Sequence, residues 1–154
     1  PKASALAWRE RIRAHGLRFR WNAAFATLTT AMEKFGETAE LVDLQARLRK
    51  ARFTYAKNGP EGMPAKASTL LRDAHVLSML GGGHLAKTHV NMLLPNFAHL
   101  REVWITLAQL ELSLGNYIGA EKILKRAVEE NPENSGFWQE QIRQLQIQMK
   151  PPSP

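Results

Sequence analysis

No cysteine occurs in these 154 residues. This excludes disulfides, thiol catalysis and cysteine-based metal sites, and it is neutral about compartment. No apolar run reaches the roughly 18 residues of a membrane-spanning helix, so no membrane insertion is expected. The start, Pro1 and Lys2 leading into a charged amphipathic stretch, has no apolar core of a signal peptide, which favours an intracellular setting, cytoplasmic or other. Catalytic patterns are missing too. His84 and His89 are five apart and diverge by about 140° around a helix, and His15, His75 and His99 complete no ligand spacing. No serine lies in a Gly-x-Ser-x-Gly elbow. Glu129, Glu130 and Glu133 crowd a surface turn, where solvation accounts for them. Gly81-Gly82-Gly83 has no following GK[ST] and no preceding strand, so it reads as a hinge or helix stop rather than a phosphate loop. The expectation is no enzyme, no metal and no cofactor.

Hydrophobic content is 44%, enough to bury a core, and the length suits one domain, taken as 1–149, with 150–154 (KPPSP) as a Pro-rich tail or linker start. Charge is unevenly placed. Residues 1–57 carry twelve Lys/Arg against five Asp/Glu, a balance of +7, while 58–154 carry nine of each. A one-sided field of this kind favours acidic partners, nucleic acid or an anionic membrane surface, and it also serves as a solubilising helix surface.

The pattern is helical throughout. The stretch 104–138 reads as two helices joined by Gly115-Asn116, a pair suited to the left-handed backbone at helix ends. Trp104, Leu107 and Ala108 mark the first helix. Tyr117, Ala120, Leu124 and Ala127, three and four apart, mark the second, which Asn131-Pro132 ends. Trp138 restarts the pattern 34 residues after Trp104. With Pro132, these residues resemble a tetratricopeptide repeat, and less closely the half-repeat family of RNA-processing scaffolds. A shift of 96 lays the N-terminal stretch on this repeat: Trp8 on Trp104, Ala24 on Ala120, Leu28 on Leu124 and Ala31 on Ala127. Phe19, not Gly16, then falls on Gly115, so the first interhelical turn at Arg20-Trp21 is made without glycine. A helix is expected over 37–56, a loop over 57–65 and a helix over 66–80. In the last, Ala67, Leu71 and Ala74 repeat the spacing of Ala120, Leu124 and Ala127, suggesting a degenerate repeat over 39–80 with a lengthened loop. A short helix over 84–94 and a long one over 97–114, capped by Asn96, follow. In the last helix, Trp138, Ile142, Leu145 and Met149 face inward and Ile147 outward.

The resemblance implies an all-α, right-handed α-solenoid of about three helical hairpins, with an extra short helix and a C-terminal capping helix. It further implies recognition of a protein or peptide in a concave groove lined by the first helix of each pair. If Trp8 packs as Trp104 does, Arg9 and Arg13 project toward that groove, and Arg47 and Lys50 are the candidates from the next pair. The subclass that clamps the C-terminal carboxylate of chaperones has cations where this chain has Glu102 and Thr106, which argues against that ligand. The expected function is a scaffold or adaptor binding an acidic or amphipathic segment. RNA held by the Arg-rich helices, with Trp21 or Tyr55 stacking, is the second reading; self-association (a homo-oligomer) or a structural role in a larger protein is the third.

Overall fold

In the computed structural model, residues 4–149 are described; the expected tail at 150–154 lies outside them. Among the described residues the regular structure is entirely helical: α1 (Ala5–Leu17), α2 (Trp21–Phe35), α3 (Ala39–Tyr55), α4 (Ala65–Met79), α5 (Gly83–Asn91), α6 (Leu94–Phe97), α7 (Arg101–Ser113), α8 (Tyr117–Glu130) and α9 (Ser135–Met149), with a 3-10 turn at Pro132–Asn134. Among the described residues, no helix is long and apolar enough to cross a membrane. Side chains cap the starts of α1, α3 and α8. Ser4 accepts the Ala7 N–H at 3.2 Å, Thr38 the Leu41 N–H at 3.2 Å and Asn116 the Gly119 N–H at 2.9 Å. Each satisfies one of the orphan donors of a first turn.

The chain divides into two compact units. The first runs to Asn58 and adds His75–Gly82; the second comprises Gly59–Ala74 and the chain from Gly83, so α4 is divided between them. In the first unit α1 and α2 form a hairpin and α3 packs on both. Its core is Ile12 from α1, Ala24, Leu28 and Ala31 from α2, Leu41, Leu44, Leu48 and Ala51 from α3, and Val76 and Leu80 from the end of α4. Gly16 is buried where a Cβ would stand 2.9 Å from Leu80 Cδ1 and 3.2 Å from Leu48 Cδ2, so that close approach needs a glycine. In the second unit α7 and α8 form a hairpin, α9 packs on α8 and α5 on α7. Trp104, Leu107, Ala120, Ala127 and Trp138 are each at most 1% exposed. Small Ala120 and Ala127 admit the neighbouring helices and the indoles fill the remaining space.

One turn geometry recurs three times. After α1, the Phe19 N–H donates to Gly16 O (2.9 Å) and the Arg20 N–H to His15 O (3.0 Å). After α7, the Gly115 N–H donates to Leu112 O (3.0 Å) and the Asn116 N–H to Glu111 O (2.8 Å). After α4, the Gly81 N–H donates to Ser78 O (3.1 Å) and the Gly82 N–H to Leu77 O (2.8 Å). This is the paired bonding of a Schellman cap, and its left-handed residue is Phe19 (φ 59°), Gly115 (φ 77°) and Gly81 (φ 76°) in turn. The shift of 96 therefore holds at the backbone, with phenylalanine standing where glycine is expected. Gly81 lies 34 residues before Gly115, which aligns α4 with α7 and buried Ala86 and Val90 of α5 with Ala120 and Leu124 of α8. Ala67, Leu71 and Ala74 are expected from their spacing at second-helix positions. They are buried, at 0, 4 and 0% exposure, and α4 ends in the same cap as α1 and α7. A spacing of four and three marks the apolar face of any helix and does not say which member of a pair it is.

Three further differences have local causes. The helix expected over 97–114 is broken into α6 and α7, and Asn96 caps neither. The Ala98 carbonyl is instead held by the Trp104 indole N–H (2.7 Å) and the Asn131 amide (3.0 Å), which takes it out of a helical ladder. Tyr117, expected at a packed repeat position, is 43% exposed as the first residue of α8, and Met149, expected to face inward, is 39% exposed at the last turn of α9. Ile147 is outward, as expected.

Candidate partner-binding groove

Trp8 of α1 is half-buried against Phe35, edge to face at 6.5 Å. Trp104 is fully buried, so Trp8 does not pack as Trp104 does; Arg9 and Arg13 still line a groove in the first unit whose other wall is α3, with Leu44 and Leu80 lending apolar surface. Arg47 of α3 lines the same groove; Lys50, one turn further and exposed, does not. Three of the four candidate cations are thus brought together. The sequence reading did not anticipate what stands between them: Glu10 from α1, and Glu40 and Asp43 from α3. Arg13 donates to Glu10 at 2.9 Å and to the carbonyls of Gly81 and Leu80 at 3.2 and 3.5 Å. It acts as a clasp on the end of α4. Arg47 pairs with Asp43 at 2.9 Å on an exposed turn of α3, a pairing in water worth roughly 0–1 kcal/mol and easily exchanged. The groove holds three guanidinium groups and three carboxylates, so it is mixed rather than basic. The missed acids were legible: Glu10 neighbours Arg9 in sequence, and Asp43 stands four residues before Arg47.

The second unit has a recess of different chemistry. Ile105, Ala108 and Leu112 of α7 with Leu145 of α9 form its floor, and Gln109, Gln141, Gln144 and Gln148 its rim. No charged side chain lines it. Its amides can both donate and accept, which suits an uncharged main chain. Behind α7, Glu111 is 5% exposed and is held by Lys87 of α5 and by the Asn116 amide at 2.5 Å. This ties the start of α8 to α7 and α5. Among the described residues, no group of three or more His, Cys, Asp or Glu is placed to hold a metal ion.

Hairpins closed by one repeated turn, crossing at alanines and packed around tryptophans, define a helical-repeat protein. Residues 101–143, which span α7, α8 and the first nine residues of α9, match the family model of the tetratricopeptide repeat. No curated protein and no solved structure matches the chain. The tetratricopeptide repeat is in general a protein–protein interaction module.

Proposed function

We propose that the chain is a non-catalytic scaffold or adaptor, and that the α1–α3 groove of its first unit receives an amphipathic segment of a partner protein bearing charges of both signs. The observation that carries this is the meeting of Arg9 and Arg47 with Glu10, Glu40 and Asp43 in one groove with an apolar floor. Partner carboxylates would address Arg9 and, by exchange with Asp43, Arg47; a partner cation would address Glu40. A sheltered charged hydrogen bond contributes roughly 1.5–3 kcal/mol, so two well-formed ones separate micromolar from weak binding. Arg13 is already committed to Glu10 and the Gly81 carbonyl and positions the wall rather than the ligand.

A peptide array of acidic, mixed-charge and neutral segments tests this, probed with the wild-type chain and with Arg9→Glu/Arg47→Glu. The expected result is selection of mixed-charge segments by the wild type and their loss in the variant, with helicity unchanged. Selection of the same peptides by both proteins would remove the groove from the account.

A further inference from the structure

The positive excess of the first unit does not lie in its groove. Residues 11–32 and 44–58 contain no Asp or Glu, yet they carry nine Lys/Arg. Three of the five acids of this unit are drawn into the groove, leaving Arg18, Arg20, Arg52 and Lys57 exposed elsewhere. Arg18 and Arg20 flank Phe19 in the turn between α1 and α2. There a shallow open concavity is walled by Phe19 and Trp21 and rimmed by Arg20 and Asn22. The rings do not belong to the sealed core. Phe19 stacks on Tyr55 with centroids 4.6 Å apart, Trp21 lies 5.7 Å from Tyr55 and 6.2 Å from Phe19, and all three are half-buried. Tyr55 brings the end of α3 to this corner, where Arg52 lies over Phe25 (4.4 Å) and Lys57 over Phe53 (4.1 Å) rather than in the concavity.

We propose that this corner binds single-stranded nucleic acid, with an unpaired base against the Phe19–Trp21 wall and the flanking phosphates on Arg18 and Arg20. Three features select this occupant. Ring surface beside cations, with no carboxylate in the surrounding segments, matches a strand that carries a flat π-face and a negative charge at each repeat. An acidic peptide would use the cations and leave the rings idle. A duplex hides its base faces. Asn22 adds an amide that can meet a base edge. The inference goes beyond the protein-binding groove and uses none of its residues, so either can fail without the other.

Fluorescence anisotropy of labelled dodecamers tests it, with oligo(U), oligo(A), the matching DNA strands, an abasic strand, a duplex and polyglutamate as probes. The key variant is Arg20→Asp. Aspartate at this N-cap position of α2 supplies the side-chain cap that arginine lacks there, so the variant should melt higher than wild type. A loss of affinity therefore cannot come from unfolding. The expected result is binding of the base-bearing single strands with a steep salt dependence, roughly tenfold weaker with the abasic strand, and at least tenfold weaker in Arg20→Asp. A preference between the RNA and DNA strands would identify the sugar. Equal binding of polyglutamate or the abasic strand, unchanged affinity in Arg20→Asp, or no binding of any strand would each overturn the proposal.

Discussion

Phe19 holds a backbone conformation that glycine holds in the equivalent turn after α7. For a residue with a Cβ this costs roughly 1–2 kcal/mol. The ring offsets that cost by stacking on Tyr55 and lying beside Trp21. The two contributions can be separated by substitution. Phe19→Ala keeps the strain and loses the stack, and should destabilise the first unit by about 2 kcal/mol. Phe19→Gly loses the stack and the strain together, and should be about 1 kcal/mol more stable than the alanine variant. Urea titration of the three proteins gives the ordering; alanine above glycine would mean the turn is unstrained. This residue also shows the reach of sequence reading. The shift of 96 placed phenylalanine on Gly115, so the position was legible, but its conformation depended on a partner ring 36 residues away that no local pattern names.

At the scale of elements, helix existence and most faces were legible because apolar spacing states them directly: Ala24, Leu28 and Ala31, and Ala120, Leu124 and Ala127, are all buried. The shared cap was less legible: Gly81 stands 34 residues before Gly115, but within a run of three glycines that reads as a simple stop. Gly119, in the first turn of α8, gives a second case of context overriding propensity. A Cβ there would fall inside contact distance of the Asn116 amide and the Glu111 carboxylate. Gly119→Ala gains about 1 kcal/mol of helix propensity but displaces the cap and the buried Glu111 bond. A net loss of about 1–2 kcal/mol in chemical denaturation is expected; a gain would show that the cap can move aside. On α9, the Glu140 carboxyl is lowered from its ordinary 4.5 to about 2, chiefly by the hydrogen bonds from Arg143, then by that from Gln144. A depressed carboxylate contributes stability above its unfolded pKa that disappears as pH falls through the folded value. The difference in stability between wild type and Glu140→Gln should therefore be constant at neutral pH, shrink from about pH 4.5 and vanish near pH 2. Acid titrations of both proteins followed by circular dichroism check this; both side chains are about half exposed, so added salt should shrink the difference as well.

For the whole molecule, composition foretold the sign of the field but not its distribution. Counting charges along the chain placed the excess in residues 1–57. Folding then sorts it, gathering Glu10, Glu40 and Asp43 into the groove with Arg9, Arg13 and Arg47 and leaving Arg18, Arg20, Arg49, Lys50, Arg52 and Lys57 on other exposed surface. The candidate groove was therefore half legible. The charges on each helix are readable from the sequence, Glu10 beside Arg9 and Asp43 four residues before Arg47, whereas the meeting of α1 and α3 in one groove is made by tertiary packing alone. The same packing commits Arg13 to the carbonyl of Gly81, 68 residues away, a contact that periodicity cannot reveal.

The phenylalanine turn also constrains the order in which the chain can fold. The Gly115 turn is unstrained by itself, so α7 and α8 can close as a local hairpin before anything else is in place. The Phe19 turn becomes favourable only when Tyr55 arrives, so α1 and α2 should close late, together with the docking of α3. In a kinetic analysis, substitutions around Gly115 would slow folding, whereas Phe19→Ala would act mainly by speeding unfolding.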